Sequence, residues 1–384
     1  MSLTDLDDDG ALRFDYDWPQ LAISADGSTF VTINPSQGLL DHRITVRDGI
    51  GGAVRQTIAP DDAVYNPRLS TDGSRLVAEP SVDCGPIGCG ERTWYTWDTR
   101  TGELLAATRA DLGAPVWPDL VDPGGRRLYY PFHQQPSVLT STSTPEPGEP
   151  SAVGPWPLQI ASYDLTTGQE TARATVPGVS AGSWQAEPID VMYVGQMELP
   201  AVALSPDGSR LAVVDAALET LTLLDAGTLA VLETHAVHRP EGLTDRLLGW
   251  LGLGPQSARA KASEGRALGA TWSIDGQFLY LTGHETEVGE TIDDITGHGL
   301  GISKIEVATG EITAVALEGH DANVIIPAPD GQSLYILMPE TPWWENGGGS
   351  AYVLRRLDAD SLETMAERRL DAWHQIMLVP LSDT

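Results

Sequence analysis

The chain has 384 residues with 54 acidic and 23 basic side chains, so its formal net charge is -31 and its isoelectric point is near 4.3. A surface of this sign repels phosphate backbones and anionic lipid headgroups, which argues against nucleic acid as a partner and against electrostatic docking on a membrane. No run of about 18 apolar residues occurs, and we expect no transmembrane segment.

The acidic start of the chain contains half of a calcium-loop pattern. In DLDDDG, Asp5, Asp7, Asp9 and Gly10 stand at the spacing of the first ligands of such a loop. The twelfth position is Tyr16, where a bidentate glutamate is wanted. The alternatives are a shortened calcium site and a frayed acidic terminus.

One phrase recurs along the chain, and each copy predicts a β-hairpin. In ALSPDGSRLAVVD an apolar run enters a Pro-Asp-Gly turn, where Asp207 and Gly208 supply the side-chain hydrogen bond and the positive φ of a tight reversal. The same turn follows other apolar runs, at Asp26 and Gly27, Asp72 and Gly73, Asp122 and Gly124, Asp275 and Gly276, and Asp330 and Gly331.

A second turn recurs later in the repeat, in WDTRTGE, YDLTTGQ, LDAGTLA, IEVATGE and LDADSLE. It separates the last two of four short apolar strands. Four antiparallel strands per repeat, with no helical repeat, predict an all-β fold in which each repeat is one blade of a β-propeller.

The phrase LSPDGSRLAVVD followed by LTLLDAGTLAVLET resembles the YVTN-type and TolB-like propeller repeats, which are WD40-like. The resemblance covers nearly the whole chain and implies a single β-propeller domain over residues 1–384. The motifs that carry it specify blades, and no functional residue follows from them.

The number of blades depends on the chain ends. Six repeats start near residues 20, 66, 115, 200, 267 and 322. The remaining segments, ALRFDYDW and AWHQIMLVPLS, would together build a composite seventh blade that closes the ring by pairing the N- and C-terminal strands. We therefore expect seven blades, with six as the alternative.

Two cysteines, Cys84 and Cys89, flank GPIG at the predicted tip between the second and third strands of blade two. A hairpin brings such positions close together, so we expect a disulfide, which would imply an oxidising compartment. This favours an extracytoplasmic location, in the periplasm or at the cell surface. Reduced thiols are the alternative.

Residues 140–157, TSTSTPEPGEPSAVGPWP, are rich in Pro, Ser and Thr. This composition predicts a flexible or semi-extended loop inserted within the third blade.

A second insertion, at residues 239–267, lies between blades four and five. Apolar residues recur there at helical spacing, at Leu243, Leu247, Trp250 and Leu251. The predicted amphipathic helix either packs on the blades or presents Leu247, Trp250 and Leu251 to a partner or a membrane surface.

Blade five carries HETEVGETIDDITGHG, residues 284–299, between its second and third strands. Its histidines and carboxylates are metal-ligand types, but an acidic loop is also expected in so acidic a chain. Both interpretations stay open.

A ligand site is expected where the connections between blades converge. By register, the residues that precede the inner strands ring the mouth of the central channel: Trp18, Tyr65, Asn66, Trp117, His238, His320, Asp321, Trp373 and His374. Aromatic rings there suit stacking on a sugar, an aromatic group or a peptide, and a histidine with a carboxylate can act as acid and base. The alternative is that these residues cap the blades.

No phosphate loop, haem attachment motif or HExxH motif is present in the sequence. We favour a non-catalytic β-propeller that binds a protein or a cell-envelope component through its loop-bearing face, without a cofactor. The alternative is a propeller enzyme, similar to lactonases, lyases or dehydrogenase subunits, with its site at the channel mouth.

Overall fold

The computed structural model describes residues 20–24, 27–33, 43–49, 52–80, 91–111, 114–116, 119–133, 152–153, 155–185, 195–238, 265–288, 295–322, 324–342 and 351–371. Within these ranges, successive groups of four antiparallel strands form six sheets, and the innermost strand of each sheet comes first in the chain. This arrangement defines a β-propeller.

The first three blades are assembled from residues 20–180. Blade one consists of β1 (Gln20–Ile23), β2 (Thr29–Ile33), β3 (Ile44–Asp48) and β4 (Val54–Ile58). Blade two consists of β5 (Val64–Leu69), β6 (Arg75–Pro80), β7 (Glu91–Asp98) and β8 (Leu104–Asp111). Blade three consists of β10 (Leu120–Val121), β11 (Arg127–His133), β13 (Pro157–Asp164) and β14 (Glu170–Ser180), with β9 (Ala114–Pro115) paired to β11.

The last three blades are assembled from residues 201–371. Blade four consists of β17 (Ala201–Leu204), β18 (Arg210–Val214), β19 (Thr220–Asp225) and β20 (Val231–Ala236). Blade five consists of β21 (Gly265–Trp272), β22 (Phe278–Val288), β23 (Ile295–Glu306) and β24 (Ile312–Ala316). Blade six consists of β25 (Val324–Pro327), β26 (Ser333–Pro339), β27 (Ala351–Asp358) and β28 (Thr364–Asp371). Three further strands extend the sheet of blade five: β12 (Ala152–Val153), β15 (Ser183–Gln185) and β16 (Gly195–Leu199).

The described part of the chain has six blades, so the expectation of seven is wrong. Each of the six repeats supplies all four strands of its own sheet, and no repeat needs a strand from a chain end to complete it. The segments that we assigned to a seventh blade and to ring closure, residues 11–18 and 372–382, lie outside the described residues.

Antiparallel order divides the loops between two faces. The turns after the first and third strands of each blade lie on one face, here called the turn face. The loops after the second strands and the connections between blades lie on the opposite face, here called the connection face.

Alternation along the strands builds the core. In β18, Leu211 and Val213 pack toward blade three, whereas Ala212 and Val214 pack toward blade five. Because successive side chains point to opposite faces of a sheet, this strand is apolar on both faces and packs against both neighbouring blades. Five buried clusters result, one for each pair of adjacent blades from one to six.

Basic side chains form hydrogen bonds between adjacent blades. The residue that opens the second strand is an arginine in blades two, three and four, and each one reaches the following blade. The bonds run from Arg75 to the Thr166 hydroxyl at 3.0 Å, from Arg127 to the Ala226 carbonyl at 3.4 Å and from Arg210 to the Gly276 carbonyl at 3.3 Å. Lys304 of blade five likewise bonds Asp360 of blade six at 2.8 Å.

The predicted Asp-Gly turns of blades two, four, five and six are confirmed on the turn face. In blade three the glycine with positive φ is Gly125, not the predicted Gly124, and Asp26 of blade one lies outside the described residues. Asp207 accepts hydrogen bonds from the Ser205 hydroxyl at 2.6 Å and from the Ser209 amide at 3.0 Å, and Gly208 has a φ of 71°. These donors, the Ser205 hydroxyl foremost, lower the pKa of Asp207 to about 2. The aspartate thus holds the reversal together as an anion.

Candidate functional site

The second hairpin of blade five is longer than its counterparts. Strands β22 and β23 have 11 and 12 residues, against 5 to 8 in the second and third strands of the other blades. Their pairing continues to Val288 opposite Ile295. Most of the segment predicted as an acidic loop is therefore a paired ribbon that projects on the connection face, here called the projecting hairpin (residues 284–288 and 295–299).

A close backbone approach fixes the base of this hairpin. Gly299 forms a bridge with Gly319, and a Cβ atom at Gly299 would lie 2.0 Å from the carbonyl carbon of His320. Gly301, with a φ of 69°, donates its amide to the His320 carbonyl at 3.1 Å. The connection from blade five to blade six therefore packs directly on the hairpin.

Asp321 lies beneath the same hairpin. Its carboxylate oxygen is 3.4 Å from Nδ1 of His284, and the residue is only 4% exposed. The neighbouring Ala322 carbonyl accepts a bond of 2.8 Å from the Thr282 hydroxyl. Asp321 thus anchors the connection, while the exposed His320 ring points its Nδ1 at the Glu318 carbonyl 3.3 Å away.

Three strands extend the inner edge of blade five. β16 pairs in parallel with β21, from Met197 opposite Gly265 to Leu199 opposite Ala267. β15 pairs with β16, and β12 pairs with β15. The free edge of an inner strand faces the axis of a propeller, so these strands lie at the connection-face end of the channel. Within the two predicted insertions, β12 and the first residues of β13 and β21 are strands.

A cavity of about 600 Å³ occupies the centre of the ring. The inner strands of blades one to five line it, with Ala22, Leu69, Val121, Leu204 and Trp272 among the apolar residues. Arg68 and Asp122 are the charged residues of this lining. Asp122 accepts bonds from the amides of its own turn, at Arg126 and Arg127, of 2.6 and 2.7 Å.

A buried charged group lies beside this cavity, between blades two and three. Arg92 pairs with Glu79, and their side chains are each 5% exposed. Asp119, fully buried, accepts a bond of 3.1 Å from the Trp94 indole. The guanidinium of Arg68 lies 3.8 Å from Glu79 and 3.6 Å from Asp119. Two carboxylates and two guanidinium groups therefore lie together at a site that is largely shielded from solvent.

Burial raises the pKa of Glu79 to about 7, and the nearby Asp119 carboxylate adds to this rise against the pull of Arg92 and Arg68. Oε1 of Glu79 and Oδ1 of Asp119 are buried and accept no hydrogen bond from the described residues. Burial among these groups therefore favours the neutral, protonated form of Glu79.

A second buried pair closes the base of the Pro-rich insertion. The rings of His133 and Trp156 are stacked, with centroids 4.6 Å apart and an interplanar angle of 4°. Burial lowers the pKa of His133 to about 4, so the imidazole is neutral at pH 7.

The predicted site residues are dispersed. His238 is exposed at the outer edge of the blades. Its amide donates to the Gly310 carbonyl at 3.1 Å, and its carbonyl accepts from the Ile312 amide at 2.8 Å. It therefore borders a groove between blades four and five and is not among the residues that line the central cavity. Tyr65 is half-buried opposite Glu79 in the β5–β6 pair. The remaining candidates lie outside the described residues: Trp18, Trp117, Leu247, Trp250, Leu251, Trp373, His374, Asp5, Asp7, Asp9, Cys84 and Cys89.

Sequence reasoning missed the buried charged group. The one signal in the sequence was Glu79, which stands in the otherwise apolar segment VAEP, where a solvated charge is not expected. Their convergence with Asp119 of the next blade depends on tertiary packing alone.

In the described ranges, no three side chains of the metal-ligand types come together in a geometry that would hold an ion. The same part of the chain contains no helix long and apolar enough to span a membrane.

The sheets define the chain as a β-propeller protein. No family model matches it and no curated protein is similar to it. Among solved structures, it is similar to the β-propeller domain of Swd1 from Myceliophteria thermophila (TM-score 0.47, 11% identity, 93% of this chain and 87% of that one). It is also similar to the WD40 domain of coronin from Toxoplasma gondii (TM-score 0.47, 12% identity, 92% and 71%) and to BamB from Moraxella catarrhalis (TM-score 0.43, 14% identity, 93% and 77%). Likenesses at this level carry no conclusion about family, activity or partner.

Proposed function

We propose that this protein is a non-catalytic β-propeller that binds a partner protein through its connection face, with the projecting hairpin of blade five as a principal contact. The observation that carries the proposal is the length of β22 and β23, whose pairing continues beyond the blade to Val288 and Ile295. A blade needs no such extension for its own packing, and an ordered ribbon offers a preformed surface for recognition.

The outer edge of this hairpin offers a mode of binding. β24 pairs with β23 only from Ile302 to Ile305, and on the described residues the strand from Ile295 to His298 has no partner on that side. Thr296 and His298 are exposed there. An extended segment of a partner would add to this edge through main-chain hydrogen bonds, as in other cases of strand addition.

The insertion at residues 239–267 belongs to the same proposal. It leaves blade four after His238, and the chain enters blade five at Gly265, the first residue of β21. The next strand, β22, forms one side of the projecting hairpin. Leu247, Trp250 and Leu251 supply the apolar part of the contact.

We place this function outside the cytoplasm, in the periplasm or at the cell surface, with an envelope protein as the partner. The support comes from the sequence: the Cys84 and Cys89 spacing suits a disulfide, and the repeats resemble YVTN-type and TolB-like ones. Mass spectrometry of the protein from fractionated cells, alkylated before and after reduction, tests the location. Two free thiols in a cytoplasmic fraction would contradict it.

The binding proposal is tested by cross-linked pull-down from native extract with four forms of the full chain. These are the unaltered protein, a deletion of residues 239–255, Thr296→Arg on the hairpin and Thr175→Arg on the outermost strand of blade three. Thr175 is also an exposed strand threonine, and it has no described role in a turn or a seam.

We expect the same partner band with the unaltered protein and with Thr175→Arg, and its loss with Thr296→Arg and with the deletion. A partner that binds all four forms equally would place the contact elsewhere and would contradict the proposal. So would an absence of any specific partner in extracts from every cell fraction.

A further inference from the structure

The central cavity has a size and a lining that suit a small organic ligand. Its volume of about 600 Å³ lies within the range of small-molecule sites. The side chains that line it are mainly aliphatic or aromatic, and the hydroxyls of Ser24 and Ser205 are engaged in their own turns.

One charged group of the lining is not committed to a turn. Arg68 keeps 24% of its side chain exposed, and its distances of 3.6 and 3.8 Å to Asp119 and Glu79 are too long for hydrogen bonds. A guanidinium group has five N–H donors. Among the described residues, no hydrogen bond from Arg68 is made, so donors remain for a ligand.

The backbone directs Arg68 to this place. The pairing of β5 with β6 is irregular between Tyr65 and Arg68, and Asn66 has a φ of 51° just before Pro67. Bulges and positive φ values at non-glycine residues are frequent beside functional sites, because they re-aim a side chain at a cost in stability.

We propose that the central cavity binds a small monocarboxylate with an apolar body, whose carboxylate pairs with Arg68 while its hydrocarbon part contacts the inner strands around Trp272. A planar carboxylate matches the guanidinium fork. A monoanion is favoured over a dianion, because Glu79 and Asp119 already place negative charge beside Arg68.

This ligand site is separate from the proposed partner contact. Arg68 and the cavity lie within the ring, whereas the projecting hairpin lies on the connection face beyond it. Either proposal can fail without affecting the other.

The test is isothermal titration calorimetry of the full chain with 4-phenylbutyrate and with its uncharged amide, 4-phenylbutyramide. We expect saturable one-to-one binding of the carboxylate and at least tenfold weaker binding of the amide. Inorganic phosphate should not bind at the same concentrations. Equal affinity for acid and amide, or no saturable binding of the acid, would overturn the proposal.

Two variants assign the site. Arg68→Gln should weaken binding of 4-phenylbutyrate at least tenfold, whereas Arg100→Gln, at an exposed arginine of a turn in the same blade, should leave it unchanged. Thr271→Phe fills the cavity without altering the charged group and should also abolish binding. If Arg68→Gln does not fold, the Thr271→Phe result decides: unchanged binding in that variant would overturn the proposal.

Discussion

Nε1 of Trp94 donates a hydrogen bond of 3.1 Å to Oδ2 of Asp119, and the two residues belong to adjacent blades. Trp272 of blade five makes a matching bond of 3.1 Å to the neutral carbonyl of Ala203 in blade four. Both indoles are buried, and each has an arginine over its ring. The acceptor is charged at the first site and neutral at the second, and Trp94 also packs on the rings of Tyr130 and Tyr163.

Trp94→Phe should lower the free energy of unfolding by more than Trp272→Phe does. The first substitution leaves a buried carboxylate without its donor, which costs about 2–3 kcal/mol beyond the packing loss, against about 1 kcal/mol for the neutral bond. Urea unfolding of the two variants at pH 7 measures the difference. Equal losses would show that the Asp119 acceptor is not a buried anion.

The buried Glu79 predicts an unusual pH dependence of stability. Its folded pKa of about 7 is above the usual value of 4.5, so the folded state binds the proton more tightly than the unfolded state. The contribution of Glu79 to stability is therefore fully present below about pH 4.5 and is lost as pH rises toward 7. The charged groups that set this behaviour, beside burial itself, are Asp119, Arg92 and Arg68.

Glu79→Gln removes this titration while keeping the shape of the side chain. We expect it to match the unaltered protein at pH 5 and to be more stable at pH 8, by about 1–3 kcal/mol. Urea midpoints at the two pH values provide the measurement, with Glu103→Gln at an exposed position of the same blade as control. A lower stability of Glu79→Gln at pH 8 would mean that Glu79 is ionised and stabilised by its arginines.

His133 predicts the opposite trend. Its folded pKa of about 4 is below the usual 6.5, so its contribution is complete above pH 6.5 and is lost as pH falls toward 4. His133→Phe keeps a ring against Trp156 but cannot take up a proton. Its free energy of unfolding should fall less between pH 7 and pH 4.5 than that of the unaltered protein, whereas His320→Gln, at an exposed ring, should not change the slope.

Gly299 should not tolerate a side chain. A Cβ atom there meets the backbone of His320 at 2.0 Å, whereas one at Gly269, in β21 of the same blade, meets only the Thr282 methyl at 3.5 Å. Gly299→Ala must displace the connection between blades five and six, at a cost of about 2 kcal/mol or more. Gly269→Ala should be near neutral. Thermal unfolding of both variants tests this, and equal melting temperatures would show that the connection does not pack on the hairpin.

Local features of the fold were predictable from the sequence. The Asp-Gly turns indicate where each blade begins, and apolar runs such as Leu211 to Val214 indicate its central strands. Both signals depend on residues only a few positions apart. The starts of the blades fall within five residues of the predicted ones, at Gln20, Val64, Leu120, Ala201, Gly265 and Val324.

Features that depend on distant residues were not predictable. The leftover apolar segments at the chain ends suggested a seventh blade, because strand pattern alone does not tell whether a strand completes a sheet. His238 precedes an inner strand in sequence, yet its pairing with Glu311 places it beside the outermost strand of the next blade. The buried group of Glu79, Arg92 and Asp119 forms only when blades two and three pack together.

The most direct test of a partner contact on the connection face is photo-cross-linking in the native cell. A photoreactive amino acid replaces His298 on the projecting hairpin in one form of the protein and Thr175 on blade three in another. We expect one discrete cross-linked protein from position 298, absent from position 175 and displaced by excess unaltered protein but not by the Thr296→Arg variant. Cross-links of equal yield and identity from both positions, or none from position 298, would contradict it.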